Sequence, residues 1–98
     1  MPTYVMLSTL GPDGAARLRD NPQRLKEVNA ELEAMGVTVL HQFALLGPHD
    51  FLNILEAPDE LTMARVATAL GARGTLKTLT LTAIDIDSYI EALGDGIG

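Results

Sequence analysis

Apolar positions along this chain recur with two periods, and their alternation outlines the elements. Thr3 to Thr9 is β-rich and apolar and reads as a first strand. Leu25, Val28, Leu32 and Met35 step by three, four and three, one helix stripe; Met63, Val66, Ala67 and Leu70 form another. Leu76 to Ile86 reads as a last strand, followed by one or two helical turns over Asp87 to Leu93. Between the two helices runs an apolar hairpin, Val37 to Glu56, about the turn Gly47-Pro48-His49-Asp50. Val37, Val39, Phe43 and Leu45 share one face of its first strand; Leu40, Ala44 and Leu46 share the other. In its second strand Phe51 and Leu55 oppose Leu52 and Ile54. A one-layer antiparallel sheet in water alternates apolar and polar positions. This hairpin therefore predicts a cover on both faces, one of them the chain's own helices.

Glycine and proline punctuate the pattern. Gly11-Pro12-Asp13-Gly14 closes the first strand, and a short helix through Ala15, Ala16 and Leu18 stops before Pro22. Asn21 is placed as an N-cap with Pro22 at N1, and Gly36 as a left-handed C-terminal cap. Pro58 suits N1 of the next helix, with Asp59 and Glu60 at its positive end, and Gly71 ends it. The order is β-α-β-β-α-β, the ferredoxin-like α+β sandwich. Its crossovers put both helices on one face of a four-stranded antiparallel sheet. Val5 and Leu7, Leu52 and Ile54, and Leu79 and Leu81 are assigned to the helix side. Tyr4, Met6, Ser8, Phe51, Asn53, Leu55, Thr78, Thr80 and Thr82 are then expected on the open side. So mixed a face, with Met6, Phe51 and Leu55 bare, predicts self-association.

The segments from Phe43-Ala44-Leu45-Leu46-Gly47 through His49-Asp50-Phe51 to Glu56-Ala57-Pro58-Asp59 resemble the GYD domain family. So does Leu70-Gly71-Ala72-Arg73-Gly74-Thr75-Leu76-Lys77-Thr78, the more distinctive part. The resemblance covers Met1 to Leu93, which implies a single GYD-like domain over 1–93 and a flexible tail over 94–98. It departs at one place, where His49 stands for the aromatic Tyr expected before the turn Asp. The family is similar to the dimeric α+β barrels, in which two ferredoxin-like sheets pack face to face, so the resemblance implies a homodimer. It implies no particular activity.

Composition narrows the function classes. At 98 residues, 47% hydrophobic and 20% charged, the chain has the make-up of one folded domain. A net charge of −6 argues against nucleic-acid and anionic-membrane partners. Arg17, Arg19, Arg24 and Lys26 read as a solvated helix face among acids. Without cysteine there is no disulfide or thiolate site, and no basic n-region precedes the first strand, which suits a cytoplasmic protein.

Candidate chemistry is sparse. His49-Asp50 in the turn offers a tuned base or, more simply, a turn carboxylate beside a surface imidazole. His41 sits mid-strand on the face of Val39 and Phe43. Arg73, with Gly74, Thr75 and Lys77, can clamp a carboxylate or phosphate, or pair with Asp50, Glu56 or a partner chain. Tyr4, His41, His49, Asn53 and Arg73 are the expected ligand contacts; no catalytic set, metal site or cofactor is read. The leading expectation is a homo-oligomeric binding or accessory module holding a small molecule. The alternative, by analogy with the superfamily, is a cofactor-free enzyme of monooxygenase or isomerase type using the barrel cavity.

Overall fold

The computed structural model describes residues 1–74 and 76–94. Strand β1 (Thr3–Leu10) leads through α1 (Gly14–Asp20) and α2 (Arg24–Ala34) to β2 (Thr38–Ala44). The hairpin continues into β3 (Phe51–Glu56), then α3 (Glu60–Ala72), β4 (Leu76–Ala83) and a terminal α4 (Ile86–Gly94). The sheet order is β2-β3-β1-β4 with every neighbouring pair antiparallel. Helix α2 packs against β2 and α3 against β4. This is the ferredoxin-like α+β arrangement, with an extra short helix in the first crossover and a helical tail. Among the described residues no helix is long and apolar enough to cross a membrane. The expected tail over 94–98 falls outside the described residues after Gly94.

Local chemistry fixes the element ends. Asn21 stands outside the helical region ahead of Pro22, with φ of −143° and ψ of 82°, and its carbonyl accepts the Arg24 N–H at 3.0 Å. Helix α2 thus starts at Arg24, two residues past the expected N1, after a backbone turn rather than a side-chain cap. At its far end Gly36 takes φ of +90°. The Val37 N–H reaches the Leu32 carbonyl at 3.0 Å and the Gly36 N–H the Glu33 carbonyl at 3.0 Å, a Schellman motif with Leu32 and Val37 both buried beside it. Asp59, not Pro58, opens α3: its carboxylate accepts the Thr62 N–H at 2.8 Å, and Pro58 lies one position before the cap. Gly71 lies inside α3, and the left-handed stop falls at Gly74, with φ of +71°.

Cross-strand rows settle the two faces. Under the helices lie Val39–Leu55–Tyr4–Thr82, Gln42–Asn53–Met6–Thr80 and Ala44–Phe51–Ser8–Thr78. Tyr4, Met6, Leu55 and Phe51 are buried there with Leu32, Val37, Met63, Val66 and Leu70 of the helical layer. The other face carries His41–Ile54–Val5–Leu81 and Phe43–Leu52–Leu7–Leu79. The expected assignment of faces is therefore inverted. Met6, Phe51 and Leu55 are core, while the purely aliphatic frame of Val5, Leu7, Leu52, Ile54, Leu79 and Leu81 faces outward. The inversion has a physical reason. The aromatic and thioether side chains of Tyr4, Met6 and Phe51 fill the space beneath the helices, and the shorter aliphatic side chains form the flatter open face.

The first strand of the hairpin needs a further correction. Its register shifts between Val39 and His41, a bulge that leaves Leu40 without a partner. Val39 consequently packs on the core while His41 and Phe43 come out on the open face. Strict alternation puts all three on one side; the extra residue breaks that alternation.

Candidate functional site

Two surfaces carry the chemistry, one on each side of the sheet. The first is a cleft between the helices and the sheet, floored by Ser8, Phe51 and Asn53. Leu25 and Val28 of α2 and Leu18 of α1 form its apolar wall. Gln42 and Asn29 close one end with a reciprocal amide pair at 3.0 and 3.3 Å, tying β2 to α2. Asn53 is 6% exposed, and its Oδ1 has no hydrogen-bond partner among the described residues. An orphaned buried acceptor of this kind costs about 1–3 kcal/mol of desolvation.

Three arginines ring the cleft: Arg17 from α1, Arg24 from the start of α2 and Arg73 after α3. Arg73 pairs with Glu31 of α2, and this ion pair is the partner of the Glu31 Oε2. Arg24 holds Glu27 at 3.0 Å in a half-exposed pair one turn along the helix, which contributes little to stability. Arg17 makes no ion pair among the described residues. Of the three guanidinium groups, all exposed, two are therefore paired with carboxylates and one is not, on a chain of net −6. The expected solvated face of Arg17, Arg19, Arg24 and Lys26 is divided between two helices, and two of its arginines turn to the cleft. Their convergence depends on the angle between α1 and α2, which spacing along the chain does not encode.

The second surface is the open sheet face. Phe43, Leu79 and Leu81 are about half exposed on it, at 53%, 48% and 47%. The His41 ring stacks on Phe43 with centroids 6.4 Å apart. At the hairpin end the His49 Nδ1 lies 3.3 Å from the Thr9 hydroxyl, and the Asp50 Oδ2 accepts the Leu10 N–H at 2.7 Å. Asp50 so pins the hairpin turn to the end of β1. One more apolar stripe is bare: Ile86, Tyr89, Ile90 and Leu93 recur at helical spacing along α4, where no residue is buried.

The five expected contact residues do not converge. Asn53 and Arg73 line the cleft, whereas His41 is on the opposite face and His49 at the hairpin end. Tyr4 lies buried away from the cleft lining, its phenol pushed up by burial and by the nearby charges of Glu60 and Asp59. Thr75, grouped with Arg73 in the expected clamp, lies outside the described residues, and Lys77 is exposed. Arg73 pairs with Glu31 rather than with Asp50 or Glu56. One signal for the open face does stand in the sequence: the aliphatic frame of β3 ends in Glu56 and that of β4 begins with Lys77. Charges in the same frame mark a face that solvent reaches at both ends.

The chain is 52% identical over 94 residues to a glutamine synthetase and cystathionine beta-lyase binding protein of Thermus thermophilus. That alignment spans 95% of this chain and 99% of the relative. Among solved structures, TTHA0845, also from Thermus thermophilus, superposes with a TM-score of 0.54 at 20% identity, over 87% of this chain and 95% of that one. FFRP-DM1 gives 0.56 at 21%, over 86% and 100%. Both share the fold. The GYD domain matches residues 4–93, and the chain belongs to the GYD domain family.

Proposed function

We propose that this protein is a homodimeric accessory protein that binds enzymes, closing its open sheet face against a second copy and presenting α4 to the enzyme. The observation that carries the reading is the open face itself: two four-residue rows, seven of whose eight side chains are apolar. A contiguous patch of this kind is uncommon on a monomer. A two-fold pairing covers it with one self-complementary surface and joins two sheets face to face. The bare stripe of α4 is a second apolar surface, of the shape that helix-in-groove docking uses. The name of the relative at 52% identity points to enzymes of nitrogen and sulfur amino-acid metabolism as the partners.

The alternative, a cofactor-free enzyme, finds less support in the geometry. The cleft is lined by amides, a hydroxyl, arginines and apolar groups, while both histidines lie outside it. A proton-transfer reaction needs a base within hydrogen-bond reach of the substrate.

The test is binding of the immobilised protein to purified glutamine synthetase and cystathionine beta-lyase from the same organism. Retention of either at micromolar concentration is expected. Ile90→Asp should abolish it while leaving the melting temperature and the mass of the assembly unchanged. Failure of both enzymes to bind would remove the accessory reading.

A further inference from the structure

The helix-side cleft has the makings of a binding site independent of any protein partner. Its floor holds Asn53, only 6% exposed, whose Oδ1 has no hydrogen-bond partner among the described residues. Its wall is apolar, with the Phe51 ring and the Leu25 and Val28 side chains. Its mouth carries Arg17, which makes no ion pair among the described residues, beside the paired Arg24 and Arg73. About 80 Å³ of the cleft can be reached by the centre of a water molecule. That is room for about five to eight waters, or about 150–240 Å³ of liquid volume, the size of a small aromatic acid.

We infer that the cleft binds a small organic carboxylate whose apolar body carries one N–H or O–H donor. The three features sort themselves by depth. The donor meets the Asn53 carbonyl, which turns out of its covered position to reach the cleft, the apolar body lies on Phe51, and the carboxylate stays at the mouth beside Arg17. Guanidinium matches a carboxylate in both charge and planar geometry. Arg73 and Arg24 are already engaged by Glu31 and Glu27, so Arg17 is the group free to receive the anion. A carbonyl with no partner selects for a molecule that brings a donor, because a molecule without one leaves it unpaired. Gln42 is less exposed to this selection, since its carbonyl and its NH2 each already bond Asn29.

Indole-3-acetate has all three features and serves as the probe, followed by amide chemical shifts of the isotope-labelled full chain. Saturable shifts are expected at Ser8, Phe51 and Asn53. The neutral indole-3-acetamide should bind about tenfold more weakly, the loss of one charge-assisted contact. Benzofuran-3-acetate, which lacks the N–H, should also bind more weakly. Arg17→Gln should erase the preference for the acid over the amide. Asn53→Leu replaces the orphaned amide by an apolar group of similar volume and should keep the fold, as a melting curve will show, while erasing the preference for the N–H. Shifts confined to Val5, Leu52 and Leu79 would mean adsorption to the open face and would overturn the proposal. So would the absence of any saturable shift at millimolar concentration, or equal weakening of acid and amide by Arg17→Gln. None of these outcomes depends on enzyme binding.

Discussion

Leu52 and Asn53 are adjacent in the chain and have opposite fates: Leu52 looks outward across the sheet while Asn53 is buried under the helices. At this scale the sequence is legible where one residue meets its own backbone and opaque where it chooses between two surroundings. Asp59 illustrates the first case. Its carboxylate accepts the N–H and the hydroxyl of Thr62, both at 2.8 Å, and these bonds hold its pKa below the usual value despite some loss of hydration. Asp59→Ala should lower the melting temperature by about 4–8 °C at neutral pH, as loss of an N-cap does in a small domain. Because the folded-state pKa is lowered, this contribution is fully present above the ordinary value of 3.8. It is lost as the pH falls through the lower folded value, so wild type and variant should converge in acid. Thermal melts of the pair across the acid range will check both the size and the sign. Which carboxylate near the start of α3 makes the cap is a matter of one position, and proline's preference for N1 points two residues too early. The choice of face is harder. Six aliphatic residues in one frame are the usual signature of a core, and here they form the open face of the sheet.

Elements are readable from periodicity, and their ends less so. The stripe of Leu25, Val28 and Leu32 and that of Met63, Val66 and Leu70 do face the sheet. The bulge at Leu40 leaves no trace in composition, yet it decides that His41 belongs to the open face. Two glycines give the element scale a paired test. Gly36 has φ of +90°, whereas Gly71 lies in the helical body of α3, and an added Cβ meets nothing within 4 Å at either. Space is therefore equal and backbone conformation alone differs. Gly36→Ala should destabilise the protein by about 1 kcal/mol, because the left-handed region strains an L-residue. Gly71→Ala should stabilise it by roughly 0.5–1 kcal/mol through helix propensity. Urea midpoints moving in the same direction would contradict this account of where α3 ends. Periodicity predicts one or two turns for α4, which is in fact a nine-residue helix. Its stripe of Ile86, Tyr89, Ile90 and Leu93 is patterned like a buried helix, and none of the described residues buries it.

For the whole molecule, the chain is longer than a compact body of its size. Its radius of gyration is 15.4 Å and its long axis 54 Å, against about 12.5 Å for the radius of a compact domain of this length. Both edge strands, β2 and β4, have no buried residue, and the face between them is aliphatic. On the reading we propose, an equal sheet laid across this face completes it, and the same operation buries Phe43, Leu79 and Leu81 of both copies. This is the central claim, and it separates two kinds of apolar residue that sequence alone confuses. Phe51 belongs to the floor beneath the helices, so Phe51→Asp should unfold the chain. Leu79 belongs to the open face, so Leu79→Asp should leave the chain folded and alone. The direct measurement is sedimentation equilibrium of wild type and Leu79→Asp at micromolar concentration, each checked for helix content by circular dichroism. Two copies for the wild type and one for a folded Leu79→Asp is the predicted result. A monomeric wild type, or a folded variant that still pairs, would contradict it.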